Sequence, residues 1–216
     1  MVISWRIKRV IFKYVPKFVR NIYFRSQRNS SADSWFRKAK PEFQKFLSPL
    51  KGKNVNFLQI GAFAGDASVW MLKDVLTNTH SQLFDVDTWE GSEEHIDLKG
   101  KFDQIEAAYD AKVMSFTNVV KNKMTSDDFF ARNKIKFDFI YIDGDHSSQQ
   151  VAIDAENALK VCQVGGVIAF DDYGWDGMKD EVSRPKQAVD RFLKTHEKRL
   201  IVLHKQYQVW VRVMSA

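Results

Sequence analysis

Five side chains able to do chemistry stand in two short clusters. Asp143-Gly-Asp-His146 supplies two carboxylates and an imidazole, and Asp171-Asp172 supplies two more carboxylates. Adjacent carboxylates beside a third repel one another unless a cation or a proton intervenes. An imidazole titrates near neutrality and suits proton transfer. The same residues also have a plain structural use, because an aspartate or histidine at a strand end commonly bonds the start of the next helix.

Each cluster ends an apolar run. Phe139-Ile-Tyr-Ile142 precedes the first and Val167-Ile-Ala-Phe170 the second, and both read as buried parallel strands with acidic C-terminal ends. Between them Val151, Ile153, Ala155, Ala158, Leu159 and Cys162 recur at roughly helical spacing, with Gly165-Gly166 as the predicted helix stop. Such a crossover sets parallel strands side by side with one polarity. Asp143, Asp145, His146, Asp171 and Asp172 are therefore predicted to share one rim of a sheet, the rim at which open α/β sheets bind ligands.

Upstream, Val55-Asn-Phe-Leu-Gln-Ile60 is a predicted strand that runs into Gly61-Ala-Phe-Ala-Gly65 and then a helix from Ala67 to about Leu76. Strand, glycine turn and helix make the nucleotide-binding opening of a doubly wound fold. Phe63 stands where the dinucleotide fingerprint wants glycine, which argues against NAD and FAD but tolerates an adenosine ligand without a pyrophosphate. The second predicted strand, Gln82 to Asp87, ends in an acid 26 positions after Gly61, where a carboxylate serves ribose hydroxyls. Trp89 suits either an adenine face or the core. Thr125-Ser126-Asp127 reads as a helix cap, with Ser126 also within the reach expected for an adenine contact. Leu200 to Leu203 and Gln208 to Val213 read as an antiparallel hairpin at the sheet edge.

The 216 residues carry a net charge of +6, and it is unevenly placed. Residues 1–32 hold eight lysines and arginines and no acid, so residues 33–216 carry 6 − 8 = −2. The basic balance belongs to an N-terminal arm, and the domain at 33–216 gives no reason to expect nucleic acid. In the arm Ile3, Ile7, Val10, Ile11, Tyr14, Phe18 and Ile22 can share a helical face. That pattern suits an anionic membrane surface, or packing on the domain or on a second subunit of a homo-oligomer. No apolar run reaches the length of a membrane span, and the apolar region of a cleavable signal is missing. The expectation is a cytoplasmic protein, with the membrane surface as the arm's option. A single cysteine, Cys162, excludes an internal disulfide and a multi-thiolate zinc site.

Over about residues 45–213 these features together resemble a class I S-adenosylmethionine-dependent methyltransferase, and more narrowly the metal-dependent O-methyltransferases of the catechol and macrocin type. The resemblance implies a doubly wound, mostly parallel, seven-stranded Rossmann-like α/β sheet with a C-terminal antiparallel hairpin. It implies S-adenosylmethionine held by Gly61, Ala62, Phe63, Gly65, Asp87, Trp89, Ser126 and Asp143. It also implies a divalent ion, usually Mg²⁺, on Asp143, Asp171 and Asp172, and places His146, with Asp143, at the catalytic position. The expected reaction moves a methyl group to a hydroxyl of a small molecule or saccharide. Two other readings remain from the residues themselves: a nicotinamide-dependent reductase on a similar sheet, and a non-catalytic domain that binds a membrane or a partner.

Overall fold

The computed structural model describes residues 36–91, 100–177 and 180–215. The basic arm and residues 92–99 of the polar insert lie outside the described residues. The described chain clusters into two compact units: one holds residues 36–54, 63–81 and 89–119, the other residues 55–62, 82–88 and 120–215.

The first unit contains α1 (Phe36–Leu47), α2 (Asp66–Asp74) and α3 (Phe102–Val113). Ala39, Phe43 and Leu47 recur every four residues and form the buried face of α1. Phe43 meets Trp70 of α2 edge-on, with ring centroids 5.8 Å apart. Gly65 enters α2 at φ 78, a left-handed conformation that a side chain resists. Asp66 in the first turn of α2 pairs with Lys112 of α3 at 2.6 Å.

The second unit carries β1 (Asn56–Ile60), β2 (Gln82–Asp87), all but the first residue of β3 (Val119–Lys123), α4 (Ser126–Arg132), β4 (Phe137–Ile142), α5 (Ser148–Val161), β5 (Cys162–Phe170), α6 (Pro185–Thr195), β6 (Leu200–Lys205) and β7 (Val209–Val213). The seven strands form one sheet in the order β3-β2-β1-β4-β5-β7-β6. β1 pairs in parallel with β2 and β4, and β4 with β5. β7 runs antiparallel to both β5 and β6. This is the doubly wound, mostly parallel sheet with a C-terminal hairpin that the sequence predicts.

Central β4 is buried along nearly its whole length, as a strand without a solvent face must be. Val151, Ala155 and Leu159 on one face of α5, with Val189 and Phe192 of α6, pack on Leu58, Ile140, Ile168 and Val211 of the sheet. Each large apolar side chain sealed there contributes about 1.5–3 kcal/mol.

One boundary differs from the sequence expectation. α5 ends at Val161, and Cys162, predicted on the helix, opens β5. The Gly165-Gly166 pair, predicted to stop the helix, instead lies inside β5 with Gly165 at φ 87. The β4–β5 register shifts between Phe137 and Phe139, so the glycines absorb a bulge. Pairing of Cys162 with Phe137 captures the chain as strand before the glycines are reached. Ile153, one of the apolar residues at helical spacing, is 37% exposed.

Candidate active site

Strand register alone assembles the rim. Val86, Ile60, Ile142, Phe170 and Val209 pair in succession across the sheet. The residues next after the four parallel-strand members of that row, Asp87, Gly61, Asp143 and Asp171, therefore stand side by side. Backbone bonds continue past the strand ends: Gly61 donates to the Val86 carbonyl at 2.8 Å, Asp143 to Ile60 at 2.9 Å and Asp171 to Ile142 at 3.0 Å. A Cβ on Gly61 would sit 1.7 Å from the Asp143 carbonyl oxygen, and the residue's φ is 86. Only glycine permits both, so the turn after β1 closes directly on the backbone of Asp143.

The chemical groups gather at the next residues. His146 Nε2 lies 2.8 Å from Asp172 Oδ2 and 3.8 Å from Asp143 Oδ1. One ligating atom from each of Asp143, His146 and Asp172 falls within 4.8 Å of the others. Burial, then repulsion from Asp171, holds the Asp143 carboxyl well above the usual carboxylate range. Burial and Asp172 push Asp171 up to about 6. Asp171 takes a hydrogen bond from the Gln208 amide. The Trp175 ring stands 5.2 Å from that of His146. Asp145, predicted on the same rim, is exposed and accepts the Ser147 N–H at 2.7 Å, shaping the turn into α5.

The other predicted site residues fall as follows. Asp87 is the half-buried last residue of β2, and Ala62 is buried after Gly61. Thr125, not Ser126, caps α4, accepting the Asp128 N–H at 3.1 Å. Ser126 Oγ stands 3.2 Å from the Gln150 amide nitrogen. In the first unit Phe63 and Trp89 both take left-handed φ, 45 and 51. The Trp89 indole donates to the Phe63 carbonyl at 2.8 Å and packs against Tyr109, so it pins the glycine turn.

Three rim residues were not legible in advance. Tyr141 faces Asp171 from within β4, and Tyr207 and Gln208 reach Asp172 and Asp171 from the turn of the hairpin. The only available signal was topological: an antiparallel strand beside β5 must begin at the rim where β5 ends.

The profile of the family described as Methyltransferase domain matches residues 58–173. The chain belongs to this family. No curated protein is significantly similar in sequence. Among solved structures, an O-methyltransferase from Bacillus cereus in complex with SAH is 20% identical, with a TM-score of 0.56 and 96% of each chain covered. TomG from Streptomyces achromogenes, an O-methyltransferase involved in tomaymycin synthesis and solved with SAM, is 15% identical, with a TM-score of 0.60 over 93% of this chain and 91% of that one. MycE, a methyltransferase of the mycinamycin pathway solved with Mg and SAH, is 14% identical with a TM-score of 0.59, covering 89% of this chain and 54% of its own. At such identities the likeness shows a shared fold.

Proposed function

We propose that the protein moves the methyl group of S-adenosylmethionine to a hydroxyl of a small molecule or saccharide, assisted by a divalent cation. The observation that carries the reading is the gathering of Asp143, His146 and Asp172 within 4.8 Å, with Asp171 beside them. The donor set fits such an ion. Hard carboxylate oxygens without a thiolate favour Mg²⁺, Ca²⁺ or Mn²⁺ over zinc, and two half-buried carboxyls, both held above their usual range by burial and in part by repulsion from neighbouring acids, suit a site that a cation would relieve.

Asp143, Asp171 and Asp172 would hold the ion, which when bound lowers the pKa of an acceptor hydroxyl and fixes its position. His146 takes the hydroxyl proton on its imidazole, and Trp175 walls the acceptor. Asp87 binds the ribose hydroxyls and Ser126 lies toward the adenine. Gly61, Ala62 and Asp143 let the cofactor approach the backbone, while Phe63, Gly65 and Trp89 shape the turn. Structures of the same fold with SAM, and with Mg and SAH, support the pair of cofactors. MycE has also been solved with Mycinamycin VI, which supports a small-molecule acceptor. Family membership leaves no support for the nicotinamide reductase. The basic arm fits peripheral contact of a cytoplasmic protein with an anionic membrane.

The test is methyl transfer from labelled S-adenosylmethionine to a panel of catechols, glycosides and amines, with and without chelator. The reading expects a product on hydroxyl acceptors that chelation and Asp143→Asn both abolish. Transfer confined to amines and indifferent to chelator would overturn it.

A further inference from the structure

The turn of the C-terminal hairpin does more than join two edge strands. β7 is antiparallel to β5, and its first residue, Val209, pairs with Phe170, the last of β5. The preceding turn is thereby delivered to the rim where Asp171 and Asp172 emerge. The Gly174 N–H donates to the Tyr207 carbonyl at 2.9 Å, which ties the loop after Asp172 to that turn.

Each acid receives one donor from the turn. Tyr207 Oη donates to Asp172 Oδ1 at 2.9 Å, while Asp172 Oδ2 lies 2.8 Å from His146. The phenol thus occupies one oxygen of Asp172 and leaves the other toward His146. Gln208 is 5% exposed, and its Oε1 accepts the Trp210 indole N–H at 3.0 Å. An indole nitrogen can only donate, so the amide has one orientation, with Nε2 toward Asp171 Oδ1. Trp210 is fully buried, which anchors this chain of bonds in the core.

We infer that Tyr207 and Gln208 are positioning residues that hold Asp172 and Asp171 in the orientation a divalent cation requires. The inference rests on the proposed cation site. Groups that fix ligating side chains from behind typically alter metal affinity by 10–100-fold when removed.

The experiment is Mn²⁺ binding to the full-length protein, read by loss of the free-ion electron paramagnetic resonance signal, with S-adenosylhomocysteine affinity measured on the same samples. Tyr207→Phe removes one hydroxyl from a ring that is 51% exposed and is expected to leave folding intact. Gln208→Leu removes the amide. Both are expected to weaken Mn²⁺ by about tenfold while cofactor affinity stays at the wild-type value. Should Gln208→Leu fail to fold, Tyr207→Phe decides alone. Wild-type Mn²⁺ affinity in the variants would overturn the inference and spare the cation site. No Mn²⁺ binding by the wild type would overturn both.

Discussion

Gly61 sets the separation between two strand ends by lacking a side chain. An added Cβ would meet the Asp143 carbonyl oxygen at 1.7 Å, and the carbonyl cannot yield because Asp143 is itself bonded to Ile60. Gly61→Ala is predicted to cost more than about 4 kcal/mol, a large part of a domain's stability, visible as loss of cooperative unfolding in urea. Asp154 offers a milder test. It is fully buried in α5, accepts from Gln150 at 3.2 Å, and burial lifts its carboxyl from 3.8 to about 6. The folded state therefore holds this proton more tightly than the unfolded one. The associated stability is present at low pH and is lost as pH rises from about 4 to about 6, by an amount on the order of 3 kcal/mol. Asp154→Asn should flatten that slope in denaturation curves taken across the window. Burial likewise pushes the Cys162 thiol up to about 12, so it should resist a thiol reagent at pH 8 until the protein is denatured. At the residue level the acids and His146 were legible because they fall in two short clusters that each directly follow an apolar run. Tyr207 and Gln208 were not, because nothing local to the turn says which strand end it will face.

Among elements, the sheet and its reversed hairpin were readable from runs of β-branched and aromatic residues separated by turn signals. The end of α5 was not. Apolar residues at helical spacing run on through Cys162, and the glycine pair looks like a stop. Pairing with β4 overrides that local pattern and turns the pair into a strand bulge. The two glycines should then differ on substitution. A Cβ on Gly165 meets nothing within 4 Å, so Gly165→Ala carries only its left-handed φ, about 1 kcal/mol. One on Gly166 meets Cys162 Sγ at 2.8 Å and the Gln163 carbonyl oxygen at 2.9 Å, so Gly166→Ala should cost about 2–3 kcal/mol. Equal melting temperatures for the two variants would count against a bulge at this place.

For the whole molecule, charge distinguishes residues 1–32 from the rest of the chain. Residues 1–32 carry all of the net positive charge, and no described helix is long and apolar enough to cross a membrane. Full-length protein is expected to sediment with vesicles containing phosphatidylserine and to be released by salt, whereas protein lacking residues 1–32 should stay in the supernatant. Equal sedimentation of the two would assign the arm to packing within the protein. The rim formed by Gly61, Asp87 and Asp143 is proposed to bind S-adenosylmethionine, and calorimetric titration with S-adenosylhomocysteine is the measurement to make. Micromolar binding by the wild type is expected, abolished in an Asp87→Ala variant that remains folded. A folded wild-type protein that takes up no S-adenosylhomocysteine, with or without Mg²⁺, would contradict it.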